Sequence, residues 1–279
     1  DVLLHARRLV AQRCLYGVDK NRYAVNLAKL SLWLFTLAKD HPFTFLDHSL
    51  RWGDSLVGLS KKQVEHFTLD PKKTLLGAGF SSYIEKKLKS VEQLRLNIHH
   101  IGDPPDTDEL ARLWRDVNDE LETLRILGDL VVFAFFLESK PKEREKRLGV
   151  LAARVKAALG QPYELVSLRQ ARDELLAEAH KSGARLPERP FHWEIELPEV
   201  FGVGYDGFDS FIGNPPFMGG SLISGTSGPS YLDWLLTIHE SAHGNGDLSA
   251  HFFRRAFGLL EANGTLGLIA TNTIGQGDT

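Results

Sequence analysis

The tetrapeptide Asn214-Pro215-Pro216-Phe217 follows a short apolar segment, Phe208 to Gly213, and its residue types suit one kind of ligand. Two prolines remove two backbone donors and hold the chain extended, which leaves carbonyl oxygens that no strand ladder uses. Asn214 can add a side-chain oxygen, Pro215 a backbone carbonyl and Phe217 a flat apolar face. That set fits a planar base bearing an amino group, with the oxygens on the N–H protons and the ring stacked on the base. Read alone, the four residues also make a tight turn with a core phenylalanine. Two further apolar runs end in an acid, Tyr16-Gly17-Val18-Asp19 and Trp52-Gly53-Asp54. A carboxylate at a strand end can accept from both hydroxyls of a ribose, a role that suits Asp19. An acid before a helix is favoured by the helix dipole in any case, so Asp19 and Asp54 each stay open when taken singly.

A different chemistry is suggested by His239-Glu240-Ser241-Ala242-His243, a literal H-E-x-x-H. On a helix it puts two histidines one turn apart around a general base, as in a zinc hydrolase. Gly244, Asn245 and Gly246 stop such a helix at once, and Ser249 stands where a third ligand is wanted. With 11 histidines in the chain, chance alone supplies such a match, and no metal site is expected. His48, His66, His99 and His100 have no partners at metal-ligand spacing and read as surface or satisfied polar residues.

The elements that must position these residues fall into three regions. In 1–60, Cys14 to Asp19 reads as a strand, Asn21 to Lys39 as a helix, and Phe43 to Gly58 as an apolar stretch ending in the Gly53-Asp54-Ser55 turn. In 61–189, Ser81 to Lys181 has helical spacing, with breaks at Gly102-Asp103-Pro104-Pro105 and Lys140-Pro141, and predicts an insertion of three to five helices. Val131 to Leu137 reads as the buried part of one of them, and the charge run Lys140 to Arg147 as a solvated helix start. In 190–279, Phe208 to Gly213 reads as a strand, Gly219 to Ser230 as a glycine- and serine-rich loop that either closes over a ligand or stays in solvent, Tyr231 to Ala242 and Asp247 to Ala262 as helices, and Thr265 to Thr271 as a strand after the Asn263-Gly264 turn. Alternating strands and helices imply an open α/β sheet, whose ligands sit at the carboxyl ends of the strands.

Composition bounds the class. The 279 residues, 43% hydrophobic and 25% charged, suffice for a full core, and the net charge of −3 gives no overall basic footprint for nucleic acid. The single cysteine, Cys14, excludes disulfide frameworks within one chain, fits a reducing cytoplasmic setting and is expected to be buried. No apolar run is long enough for a bilayer and no signal sequence is evident, so no membrane partner is expected.

Taken in order, the motifs resemble those of amino-methyltransferases. Tyr16-Gly17-Val18-Asp19-Lys20-Asn21 with Leu27 to Leu34 resembles the second motif and Gly53-Asp54-Ser55-Leu56 the third; Asn214 to Phe217 resembles the fourth, Asp247 to Phe253 the fifth and Gly264 to Asn272 the next. Together with Phe191-His192-Trp193-Glu194 to Phe201, they resemble the adenine-specific (N6) methyltransferase domain of type IIG restriction-modification enzymes and related phage-defence methylases. The resemblance implies a Rossmann-like class I fold with a large helical insertion, S-adenosyl-L-methionine as cofactor and double-stranded DNA with a flipped adenine as substrate. It implies Asp19, with Lys20 and Asn21, at the ribose of the cofactor, and Asp54, Ser55 and Leu56 at its adenine. Asn214 and Pro215 would hold N6 of the target, with Pro216 shaping the turn and Phe217 stacking on the base. The glycine-rich first motif and a target-recognition domain are absent from these 279 residues, so little or no methylation is expected of them alone, with a nuclease domain or subunit possible in the parent protein. A methyltransferase-like scaffold that binds DNA without turnover is the alternative.

Overall fold

The computed structural model describes residues 2–36, 46–70, 72–102, 106–202, 204 and 206–272. Helix α1 (Val2–Arg13) leads into strand β1 (Gly17–Asp19), and α2 (Arg22–Phe35) follows directly. Asn21 caps α2 by accepting from the Tyr23 and Ala24 N–H groups, two donors that a first helical turn leaves without partners. The helix ends at Phe35, short of the expected Lys39; residues 37–45, which include the start of the Phe43 stretch, lie outside the described residues. Strand β2 (Leu50–Trp52) pairs in parallel with β1, Gly17 opposite Leu50 and Asp19 opposite Trp52. The two acid-bearing segments therefore leave neighbouring strands at the same end.

Helices α3 (Lys61–His66), α4 (Ala78–His100), α5 (Thr107–Leu137), α6 (Pro141–Ala158) and α7 (Glu164–Ser182) come next, matching the expected helical count. Of the two expected breaks, Lys140-Pro141 opens α6, while residues 103–105 lie outside the described residues. Leu110, Leu113, Val117, Leu121 and Leu124 line one face of α5, and from Ile126 to Phe136 the helix is buried almost all round. Val131 to Phe136 is thus core, as the sequence suggests, with Phe135 and Phe136 packed on Trp234 at ring distances of 5.2 and 5.8 Å. The run Lys140 to Arg147 is a largely exposed helix start, as expected, and only its two arginines are half-buried: Arg144 bonds the Glu138 carbonyl and Asp233, and Arg147 bonds Glu138 and Glu178. Acids on neighbouring elements capture these cations.

Four more helices and two strands complete the chain: α8 (Trp193–Glu196), β3 (Phe208–Gly213), α9 (Gly220–Ser227), α10 (Pro229–Ile238), α11 (Leu248–Phe257) and β4 (Leu260–Leu268). The expected 219–230 loop is largely helical, because Ile223 is fully buried and Gly220 lets its turn touch the Gly244 carbonyl, where a Cβ would sit 1.8 Å away. Helix α10 stops at Ile238 rather than Ala242, and α11 at Phe257 rather than Ala262. Strand β4 begins at Leu260, earlier than expected, and pairs in parallel with β3; its register slips between Phe208–Leu260 and Ser210–Thr265, so Asn263-Gly264 lies inside the strand as an irregularity. Cys14, expected to be buried, is exposed: its N–H bonds the Val10 carbonyl, so it continues the outer surface of α1 instead of joining β1.

The chain is α/β with parallel pairing, but among the described residues the strands form two separate two-stranded sheets rather than one. Aromatic packing joins their surroundings: Tyr16, just before β1, lies 5.7 Å from Phe208 of β3, and Phe191 and Trp193 share that cluster. Buried ion pairs fasten the helices to α8. Glu196 accepts from Arg51 and, through two hydrogen bonds, from Arg125, while Glu199 takes a two-pronged contact from Arg95. Both arginines in contact with Glu196 hold its carboxyl far below the usual carboxylate range, against the opposing effect of burial. No described helix is long and apolar enough to cross a membrane.

Candidate functional site

The turn after β2 is the most tightly held part of the candidate site. Asp54 is 4% exposed. Its Oδ1 accepts from Leu56 N–H at 3.1 Å, its Oδ2 lies 3.0 Å from Lys20 Nζ, and the Tyr231 hydroxyl donates between both oxygens at 3.0 and 3.1 Å. Each oxygen thus already has two contacts, and of the three donors only Lys20 is exposed, so its place is the one an incoming donor can take. Burial, with the Asp54 charge next, pushes the Tyr231 hydroxyl well above its ordinary pKa, and it remains a donor. The rest of the turn is gripped as closely. Trp193 Nε1 donates to the Ser55 carbonyl, and Trp234 Nε1 and Arg255 Nη2 to that of Leu56. Phe191 N–H donates to the Val57 carbonyl at 2.7 Å, and His192 Nδ1 accepts from Leu59 N–H. Gly58 must lack a side chain here, since a Cβ would meet the Phe191 carbonyl oxygen at 2.0 Å.

Beside this turn, Asp19 is exposed; its Oδ1 accepts from Asn21 N–H at 2.6 Å and its backbone carbonyl from Gly53 N–H at 3.0 Å. Lys20 reaches across to Asp54, with its ammonium 4.8 Å above the Tyr231 ring, and its carbonyl accepts from Trp52 Nε1. Arg22 and Arg189 both lie over the Trp52 ring, at 5.7 and 5.3 Å. Thus Asp19, Lys20, Asn21, Asp54, Ser55 and Leu56 form one neighbourhood at the carboxyl ends of β1 and β2, with Leu56 fully buried and Ser55 half-buried.

Asn214 to Phe217 leave β3 in the open. Pro215 is buried, Asn214 and Pro216 are exposed, and Phe217 is 50% exposed. Among the described residues none bonds the Asn214 side-chain amide. Ile269 N–H donates to the Gly213 carbonyl, and Leu248 N–H to that of Met218, so both flanks of the tetrapeptide are anchored while its own acceptors stay free. No direct contact joins Asn214 or Phe217 to Asp54 among the described residues; the link is the α9–α10 stretch, which ends in the Tyr231 hydrogen bond.

The H-E-x-x-H residues do not share a helix. His239 caps the end of α10, and Ser241 takes a left-handed φ of 59°, which turns His243 away from any helical repeat. His239 instead stacks on His251, Nδ1 to Nδ1 at 2.9 Å, with one ring donating to the other. Burial first, then the Arg255 charge, pulls His239 down to about 3; burial and Arg254 pull His251 down to about 4. His48 is satisfied by the Gln12 carbonyl, as expected for a polar residue with a structural role.

A concavity of about 420 Å³ lies elsewhere, between α5, α7 and residues 188–196, and is lined by Arg125, Asp129, Arg189 and Glu196 among others. It contains neither Asp19 nor Asn214, and within its lining Arg125 pairs with Glu196. Tyr231, Trp234, Arg255 and His192 have no motif of their own; their part in the site comes from contacts across 133 to 199 residues of sequence. Only the Phe191 to Phe201 resemblance hinted at any of them.

A family model described as "Eco57I restriction-modification methylase" matches residues 13–279. A Methanocaldococcus jannaschii protein named "Putative type II restriction enzyme and methyltransferase" is 23% identical over 287 residues, covering 94% of this chain. The chain spans 22% of that relative's length. No solved structure matches the chain.

Proposed function

Since the chain belongs to the Eco57I restriction-modification methylase family, we propose that it is the catalytic part of a DNA adenine N6-methyltransferase that uses S-adenosyl-L-methionine. In this reading residues 1–60 and 190–279 make up one Rossmann-like methyltransferase domain, and 61–189 a helical insertion. The observation that carries it is the Asn214-Pro215-Pro216-Phe217 loop, whose acceptors and aromatic face stand free at the end of β3.

The residues present fit the cofactor. Exposed Asp19 keeps acceptor capacity for two ribose hydroxyls after bonding Asn21 N–H, and Asp54 accepts an adenine amino group where the exposed Lys20 ammonium gives way. When bound, S-adenosyl-L-methionine supplies an electrophilic methyl group. What this chain does is hold the target: Asn214 Oδ1 and the Pro215 carbonyl accept the two N6–H protons, and Phe217 stacks on the ring. Both acceptors favour a pyramidal N6 whose lone pair faces the methyl group, a stabilisation realised chiefly in the transition state. N6 is paired inside a duplex, so the adenine must leave the stack. No basic face is needed on this part if the rest of the protein binds the phosphates; the relative's name joins a restriction enzyme to a methyltransferase.

The test uses the full-length protein, mixed-sequence DNA and labelled S-adenosyl-L-methionine, with the methylated nucleoside identified by mass spectrometry. N6-methyladenine that vanishes with Asn214→Ala and survives His243→Ala supports the reading. Methylation of cytosine, or full activity in Asn214→Ala, would sink it.

A further inference from the structure

We infer that Tyr231 is the positioning residue that aims the Asp54 carboxylate, and that through it the helix following the target-base loop sets the cofactor preference of the turn after β2. The inference rests on the reading of Asp54 as acceptor for the cofactor's adenine amino group. An aspartate side chain has two torsions and, in a polar setting, can present either oxygen in several directions. Here the Tyr231 hydroxyl straddles both oxygens at 3.0 and 3.1 Å, which pins the carboxylate plane. Leu56 N–H holds Oδ1 from the same turn, and Lys20 approaches Oδ2 from the exposed side.

Three features make Tyr231 the determining donor. It is buried and belongs to α10, whereas the Lys20 side chain is 54% exposed and free to swing. Its hydroxyl stays protonated because burial and the adjacent Asp54 charge both oppose ionisation. Its helix is itself locked to the turn, since Trp234 of α10 donates to the Leu56 carbonyl at 3.0 Å. The tyrosine therefore cannot drift without moving the helix, and α10 follows Asn214 to Phe217 through the single helix α9. Sequence and packing thus place the orienting hydroxyl at the far end of the segment that begins with the target-base acceptors.

The test compares two probes in the full-length protein, S-adenosylhomocysteine and S-inosylhomocysteine, which carries a carbonyl where the adenine amino group stood. Isothermal titration of the unaltered protein is expected to favour the amino compound by about tenfold or more, the value of a hydrogen bond to a charged group. Tyr231→Phe is expected to cut that preference to about twofold or less by weakening the amino compound selectively. Loss of affinity for both probes in equal ratio, or an unchanged preference, overturns the inference, because a residue that only supports the fold cannot distinguish them. Should Tyr231→Phe unfold, 4-fluorophenylalanine in place of Tyr231 fills the hydroxyl volume without a donor and reads the same ratio. Asp54→Asn separates the layers: a preference that survives it removes the reading of Asp54 and the inference together, while a preference lost there but kept in Tyr231→Phe removes the inference alone.

Discussion

The turn after β2 and the turn after β3 both end parallel strands, yet the structure treats them in opposite ways. Between Asp54 and Leu59 the backbone and side-chain groups are held by residues from four other segments, and Asp54 is 4% exposed. Asn214 to Phe217 meet no such grip, and Ile212 just before them is 89% exposed. The difference matches the two jobs proposed. A cofactor site gains from acceptors fixed in advance, since freezing them on binding would cost affinity. A loop that receives a base swung out of a duplex must stay accessible, and its acceptors are satisfied only when the base arrives.

The largest expected effect is on the gripped side. Glu196→Ala leaves Arg51 and Arg125 buried without a carboxylate and is expected to cost about 3–5 kcal/mol in urea unfolding. A cost under about 1 kcal/mol, the range of exposed pairs, means the helices and α8 are not fastened in this way. Gly58→Ala forces the turn away from the Phe191 backbone, and about 1–3 kcal/mol of stability should go with it. An unchanged unfolding midpoint would mean that the turn is as adaptable as its counterpart after β3.

Phe217→Ala probes the open side. Thermal stability should stay within about 0.5 kcal/mol, as for an exposed substitution, while DNA containing an abasic gap opposite the target binds with a loss of about 1–3 kcal/mol in base stacking. A large stability loss with unchanged DNA binding would make Phe217 a core residue instead. The buried histidine pair responds to pH. Unfolded histidine takes up a proton near 6.5, whereas His239 and His251 resist until about 3 and 4, so their contribution is complete above 6.5 and declines as pH falls toward 4. His251→Gln should flatten that decline in the pH dependence of urea midpoints, and an identical curve in the variant would assign the decline elsewhere.

Much of this was legible because it is local. The helix opening at Asn21, the Lys140-Pro141 break, and the Asn214 turn after an apolar strand depend on neighbours within a few residues. The buried stretch of α5 shows as an apolar run for the same reason. Packing overrode local preference where the glycine-rich 219–230 segment, read as a loop, became helical around buried Ile223. The H-E-x-x-H match, read as chance, is split by the end of α10 and the left-handed turn at Ser241.

By itself, then, the sequence determined the order of the strands and of most of the helices, the residue types at each strand end, and through motif order the family to which the chain belongs. Only the tertiary structure decided which of those residues are held and which are free. The Tyr231–Asp54 hydrogen bond spans 177 positions and the Arg51–Glu196 pair 145, and no periodicity or spacing encodes a contact at that range. Such contacts exist because burying the core of α5, α8 and α10 brings distant polar groups out of water together, where each must find a partner.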